Sequence, residues 1–251
     1  MHKPHVWPVI HYLNHDLAIE NADIAAQCGV EGVFLIEMVG DDEPLLDIAK
    51  LIKHRHPGLK VGVNHLTWSP RISLEQNIAA GLDATWTDRS GVTSGEFSGT
   101  ALAIGEILKR TPAHLFFGSV AFKYQAVEQF PGFAACKAAS LGMIPTTSGV
   151  KTGVAADLGK LQGMHAELAE FADTQRDANK GTRRQITDAL GLASGVTPEN
   201  VVDVIGLVTH ILVATGVSLD EHRFDYEKLA RLMGRINTFV AENPEALGRS
   251  S

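Results

Sequence analysis

Residues 32–65 read GVFLIEMVGDDEPLLDIAKLIKHRHPGLKVGVNH, and this stretch contains one complete strand–helix–strand unit. Residues 32–37 and 60–65 are short apolar runs, which are typical of buried β-strands. Between them, residues 44–54 place apolar side chains at helical spacing, and the pattern stops before Pro57. A helix that joins two buried strands predicts a parallel pair, because parallel strands need a crossover connection.

The same alternation extends in both directions along the chain. Further strands are predicted at residues 6–13, 84–88, 114–123, 143–147, 189–193 and 210–214. Further helices are predicted at residues 16–27, 73–80, 99–110, 132–140, 155–172, 198–205 and 226–241, and the polar residues 173–185 extend the sixth helix with a break near Gly181.

Eight strands and eight helices in 251 residues predict a single (β/α)8 TIM barrel, since such barrels take about 250 residues. The alternative is an open, doubly wound sheet, but the strand count and the chain length favour the closed barrel. No shift in composition marks a linker, so residues 1–251 form one predicted domain, with residues 243–251 as a frayed tail.

Composition excludes several classes of function. The formal net charge of −7 argues against a nucleic-acid-binding protein, which would carry a basic face. No run approaches the roughly 20 apolar residues of a membrane span, and no signal peptide is evident at the N-terminus. We therefore expect a cytoplasmic protein. A homo-oligomer is compatible with the sequence, although no apolar stripe identifies an interface.

Polar residues stand at the ends of the predicted strands. In a TIM barrel the active site lies at the C-terminal ends of the strands, so these residues meet at one rim. Candidate catalytic residues are His11, Glu37, Asn64, Asp88 and Lys123.

Each candidate has a chemical role that its residue type suits. The two carboxylates suit a general acid and a general base, Lys123 suits stabilisation of negative charge or nucleophilic attack, and His11 suits proton transfer. Alternatively, any one of them caps the next helix. A divalent cation such as Mg²⁺, held by Glu37, Asp88 and a phosphate, is a further option.

Two glycine turns end the last two strands. The sequence SGVTPENV spans residues 194–201, and ATGVS spans residues 214–218. Adjacent glycine turns after strands 7 and 8 form the phosphate site that recurs in this fold, and Pro198 suits the first turn of a helix. The predicted phosphate-binding residues here are Ser194, Gly195, Val196, Thr215 and Gly216. The alternative is a pair of tight βα turns without a ligand.

A third glycine-rich segment, TSGVKTG, follows strand 6 at residues 147–153. Gly149 and Thr152 are predicted to add phosphate contacts, and Lys151 could supply a positive charge. Residues 89–98 and 148–153 are candidate lids, with ordinary surface loops as the alternative.

These strand ends together resemble the BtpA/SgcQ family of ribulose-phosphate-binding-type barrels. The matching segments, in order, are VIHYL, GVEGVFLIEMVGD, VGVNHL, FFGSVAFKYQA, TSGVKTG and LASGVTPENV. The chain departs from the family at Met38, where Asn is usual, at Tyr124, where His is usual, and in the loop at residues 14–16. SGVTPENV is also similar to phosphoribosylanthranilate isomerase, although the paired Cys and Asp of that enzyme are not evident.

The resemblance implies a phosphate-bearing, sugar- or nucleoside-linked ligand but names no reaction. One hypothesis is an enzyme that acts on a phosphorylated small metabolite, with the class open among isomerase, lyase, hydrolase and transferase. The other is a non-catalytic assembly or stability factor, since BtpA-like proteins have been linked to photosystem biogenesis and a fold does not settle function. The polar residues gathered at one rim favour the enzyme.

Overall fold

Eight parallel strands form a closed barrel in the order of the sequence. A computed structural model describes residues 3–151, 153–178, 188–193 and 195–244. The strands are β1 His5–His11, β2 Gly32–Ile36, β3 Lys60–Asn64, β4 Ala84–Thr87, β5 Leu115–Ser119, β6 Ile144–Ser148, β7 Gly191–Ala193 and β8 His210–Val213. Each pairs in parallel with its neighbours, and β8 closes the barrel against β1. The predicted TIM barrel is confirmed.

Seven α-helices alternate with the strands in the described ranges. They are α1 His15–Gln27, α2 Leu45–Arg55, α3 Pro70–Ala79, α4 Gly99–Arg110, α5 Pro131–Ser140, α6 Leu158–Ala178 and α7 Tyr226–Glu242. The continuation of α6 to Ala178 agrees with the predicted extension, while Gly181 and residues 245–251 lie outside the described residues. None of the helices in those ranges combines the length and apolar character that a membrane span requires.

The helix predicted at residues 198–205 is wrong. This segment contains only one turn of 3₁₀ helix, Val201–Asp203. Asn200 ties the chain back on itself, because its side chain accepts from the Thr197 N–H at 2.8 Å and donates to the Gly195 carbonyl at 2.8 Å. Gly206 then turns the backbone with a φ of 97°, so the helix does not continue beyond this one turn.

Local contacts explain two of the other boundaries that differ from prediction. Strand β5 ends at Ser119 rather than near residue 123, because Ala121 has a φ of 47° and turns the chain out of the sheet. Helix α1 begins at His15 rather than at residue 16, because the side chain of Asn14 caps it by accepting from the Leu17 N–H at 3.0 Å.

The inside of the barrel is filled by aromatic side chains. Trp7 is fully buried, and its ring lies 5.0 Å from that of Phe34 and 5.4 Å from that of Phe117. Gly62 leaves room for this layer, since a Cβ there would overlap the Phe34 ring. A second, larger apolar cluster packs the outer faces of the strands against the helices.

The alternation of side chains along each strand shows which residues at the C-terminal rim point into the barrel. Side chains two residues apart point the same way, so the positions after the aromatic layer face the mouth. These next inward positions are polar: His11 after Val9, Asn64 after Gly62, Asp88 after Trp86, Ser119 after Phe117 and Ser148 after Thr146.

Candidate functional site

Three titratable side chains meet at the mouth of the barrel. Lys123, in the loop after β5, is close enough to act electrostatically on both His11 and Asp88. Asp88 accepts a hydrogen bond from the Asn64 amide at 3.1 Å. Four of the five predicted catalytic residues are therefore placed together, although they come from the ends of four different strands.

Burial shifts the pKa values of Asp88 and His11 toward each other. It raises the pKa of Asp88, although the Asn64 hydrogen bond and the charges of Lys123 and Arg89 act in the opposite direction. It lowers the pKa of His11 from 6.5, with Glu221 opposing the shift. His11 is thus a neutral imidazole at pH 7, and its buried Nδ1 has no partner among the described residues. Such a group can accept a proton or a ligand hydrogen bond.

Glu37 has a different environment from the other four candidates. Its carboxylate accepts hydrogen bonds from the backbone N–H groups of Val39 at 3.0 Å, Gly40 at 2.6 Å and Asp41 at 2.6 Å. The side chain is buried in its own loop, which these bonds hold in shape. The geometry thus supports a loop-ordering role, and catalysis by Glu37 stays a prediction without a supporting contact.

The loop that Glu37 orders also holds the neighbouring loop. Asp42 is buried and accepts from the N–H groups of Leu66 at 3.2 Å and Thr67 at 2.8 Å.

In the described part of the chain, no group of three or more His, Cys, Asp or Glu side chains is placed to hold a metal ion. A cation bound through Glu37 and Asp88 therefore stays a prediction.

Lys160 is a residue of the site that the sequence analysis missed. From the first turn of α6 its Nζ donates to the carbonyls of Ser148 at 2.6 Å and Ala121 at 3.2 Å. Ser148 in turn accepts from the Lys123 N–H through its hydroxyl, at 2.8 Å. Lys160 thereby joins the loops after β5 and β6 and positions Lys123. Its burial lowers the pKa of the ammonium group. Lys160 lies in a helix rather than at a strand end, so a search of the strand ends does not find it.

The turns after β7 and β8 present unpaired backbone donors. The N–H groups of Gly195, Val196, Thr215 and Gly216 donate to no acceptor among the residues that the structure describes. Gly195 has a φ of 76°, and Thr215 begins a single 3₁₀ turn, Thr215–Val217. Such donors suit an anion. The predicted phosphate ligands Ser194 and Thr152 lie outside the described residues.

The glycines of these turns are also required by packing between loops. A Cβ on Gly149 or on Gly195 would overlap the carbonyl of Val154, and a Cβ on Gly216 would overlap that of Val196. The loops after β6, β7 and β8 therefore interlock through their backbones. These glycines therefore lie close to the backbone of a neighbouring loop, whereas their predicted contact with a phosphate stays a prediction.

A cavity of about 590 Å³ opens between the loops after β3 and β4. Its lining includes Asn64, His65, Trp68, Thr87, Asp88 and Arg89. Nearby, residues 89–98 are fixed by a bridge between Val92 and Phe97, and Glu128 accepts from the Ser94 N–H at 3.0 Å and hydroxyl at 2.6 Å. These contacts favour a fixed wall over a lid for this loop.

His65 faces the helix layer rather than the mouth. Its Nδ1 lies 2.8 Å from the Ser73 hydroxyl, and its ring stacks on Trp68 with 4.0 Å between ring centroids. Burial lowers the pKa of His65 to about 4. At the opposite end of the barrel, burial likewise lowers the pKa of His210 to about 3.

The neutral state of these two histidines predicts acid sensitivity. The unfolded chain binds a proton at each as the pH falls below about 6.5, whereas the folded chain does not until about 4 or below. Lowering the pH from 7.5 to 5 should therefore cost about 2 kcal/mol of unfolding free energy per histidine. Urea unfolding at the two pH values measures this loss. His65→Gln should reduce it by about 2 kcal/mol, and an unchanged loss would contradict the assignment.

Comparison with known proteins shows the fold but no family. No family model matches the chain, and no curated protein matches it. Membership of the BtpA/SgcQ family therefore stays a prediction.

Three of the similar solved structures are enzymes. Phosphoribosyl anthranilate isomerase from Thermus thermophilus has a TM-score of 0.62 and 15% identity over 94% of this chain and 99% of that one. 3-Hexulose-6-phosphate synthase has a TM-score of 0.60 and 13% identity over 92% and 99%. A phosphoribosyl anthranilate isomerase in complex with reduced 1-(o-carboxyphenylamino)-1-deoxyribulose 5-phosphate has a TM-score of 0.59 and 13% identity over 94% and 99%. At these identities the likeness establishes the barrel architecture of the chain.

Proposed function

We propose that this chain is an enzyme that acts on a phosphorylated small metabolite, either a sugar phosphate or a phosphoribosyl compound. One observation carries the proposal. The mouth that holds His11, Asp88 and Lys123 also holds the two turns whose four N–H groups have no acceptor in the described residues. Anion donors and proton-transfer groups at one mouth are what catalysis on a phosphate ester requires.

The phosphate group is assigned to the turns after β7 and β8. Its oxygens would accept from the N–H groups of Gly195, Val196, Thr215 and Gly216, and bonds to a charged acceptor are the stronger kind. A structural neighbour of this chain was solved with a deoxyribulose 5-phosphate derivative, which is a phosphate ester of the proposed kind.

The reacting atoms of the ligand would then lie over the centre of the mouth. There Asp88 and neutral His11 transfer protons, and the Lys123 ammonium stabilises developing negative charge. Lys160 keeps Lys123 in place through the backbone of the two adjoining loops. This machinery serves isomerase, lyase, hydrolase and transferase chemistry alike, and a substrate screen decides among them.

A thermal-shift screen tests the phosphate assignment. The ligands are inorganic phosphate, ribose 5-phosphate, phosphoribosyl pyrophosphate, nucleotides and sugar phosphates, each with and without Mg²⁺. A ligand at about 100 times its Kd adds about 2.7 kcal/mol, which raises the melting temperature of a chain of this size by about 5–10 °C.

A pair of variants separates binding at the turns after β7 and β8 from general effects on the fold. Gly195→Asp should abolish the shift, because it adds a negative charge and a side chain that overlaps Val154. Gly58→Asp is the matched control, since a Cβ at Gly58 meets nothing within 4 Å, and it should keep the shift. A wild-type protein that no phosphate compound stabilises would overturn the enzyme proposal.

A specific observation also favours the non-catalytic assembly factor. Loops after β2, β5 and β6 carry exposed apolar side chains, among them Val39 at 91%, Val127 at 93% and Val150 at 80%. Exposed apolar groups on loops of the same rim suit a protein contact. The two functions separate when Asp88→Asn and Lys123→Ala are tested. An enzyme loses its activity in both variants, whereas an assembly factor keeps its effect.

A further inference from the structure

We propose that the cavity between the loops after β3 and β4 is a second ligand subsite, which binds the hydrogen-bond-donating far end of an elongated phosphate ester. The inference rests on the proposed function, because it takes the phosphate to lie on the turns after β7 and β8. It adds a substrate class: the ligand carries hydroxyl or amino donors at the end remote from its phosphate.

The position of the cavity sets the length of the ligand. In a closed barrel of eight strands, β3 and β4 stand opposite β7 and β8. Strands about 4.8 Å apart and tilted by about 36° make a barrel about 15 Å across. A bare phosphate group cannot reach both sides, so a molecule that fills the two sites extends across the mouth.

Two of the residues that line the cavity, Asn64 and Asp88, offer acceptors that lack a donor among the described residues. Asn64 is 1% exposed, its amide nitrogen donates to Asp88 Oδ1 at 3.1 Å, and its Oδ1 has no partner in the described residues. Asp88 Oδ2 also has no hydrogen-bond partner in that part of the chain. A buried acceptor left unpaired is destabilising, and a donor on the ligand would recover that loss. The unpaired oxygens thus select hydroxyl or amino groups.

One side of the cavity carries two aromatic rings, which are held in place before any ligand binds. His65 stacks on the half-buried Trp68 with 4.0 Å between ring centroids, and both residues line the cavity. Asp42 fixes the preceding residues through the N–H groups of Leu66 and Thr67. The volume of about 590 Å³ falls in the range of small-molecule sites. A sugar or a planar ring fits such a wall.

The test compares extended phosphate esters with inorganic phosphate by isothermal titration calorimetry. The probes are inorganic phosphate, ribose 5-phosphate, AMP, GMP, CMP and UMP. At least one ester should bind the wild-type chain about tenfold or more tightly than inorganic phosphate does, since one recovered hydrogen bond is worth about that factor. Asn64→Leu, which keeps the approximate size but removes the acceptor, should reduce the ratio to near one.

Further variants keep the test decisive if Asn64→Leu does not fold. Trp68→Ala removes the exposed part of the wall from a surface loop and should lower the same ratio. Both variants should leave the Kd of inorganic phosphate within about twofold of wild type. Asn237→Leu makes the Asn-to-Leu change on the exposed face of α7 and should alter nothing.

The outcomes distinguish this proposal from the proposed function. If inorganic phosphate binds but no ester binds more tightly, the second subsite is wrong and the phosphate site stands. The second subsite is equally wrong if an ester binds more tightly and neither variant lowers its advantage. If no phosphate compound binds at all, the proposed function and the subsite are both wrong.

Discussion

Asp88→Asn should lower kcat/KM by about 10²–10⁴-fold on the substrate that the screen identifies. The change keeps the size of the side chain and an oxygen that can accept from Asn64, but it removes the group that exchanges a proton. General acid–base catalysis by one positioned side chain contributes about this factor. Steady-state kinetics measures the loss, and a melting temperature close to wild type shows that the fold is intact.

The pH profile adds a readout that a structural role for Asp88 would not change. Burial raises the pKa of Asp88 above its usual 3.8, so the carboxylate becomes protonated as the pH falls through that raised value. If ionised Asp88 is the base, wild-type kcat/KM falls in step, and the variant lacks this acid limb. Asp47→Asn, on the exposed surface of α2, is the matched control and should keep both rate and profile. An unchanged kcat/KM in Asp88→Asn would remove Asp88 from the mechanism.

Trp7→Ala should lower the free energy of unfolding by about 3–5 kcal/mol. Trp7 is fully buried at the centre of the inner aromatic layer, with Phe34 and Phe117 against its ring. Neighbouring strands cannot close over the space, because the barrel is held in register on every side. Urea denaturation of the purified chain measures the change.

Trp68→Ala provides the comparison for this second prediction. The Trp68 side chain is half-buried on a surface loop, so its truncation leaves no enclosed cavity. The loss of unfolding free energy should therefore be clearly smaller than for Trp7→Ala. Equal losses for the two substitutions would mean that the inner aromatic layer is not what stabilises the barrel.

Much of the fold could be predicted from local patterns. Short apolar runs separated by helical spacing specify buried parallel strands with crossovers, and eight of them in a chain of this length specify a closed barrel. The same patterns locate strand ends, so His11, Asn64, Asp88 and Lys123 could be assigned to one rim before any geometry was known. The extension of α6 as far as Ala178 could also be predicted, because residues 173–178 contain no glycine or proline to end the helix.

The sequence alone therefore determined the barrel, its rim and the residue types around the mouth. Only the tertiary structure decided what each polar group contacts. Glu37 binds the backbone of its own loop, Lys160 reaches the mouth from a helix, and Asn64 keeps a buried oxygen without a donor among the described residues. The reason is physical: strand and helix periods follow from neighbours along the chain, whereas a polar side chain at a loop chooses among partners that only folding brings within hydrogen-bonding distance.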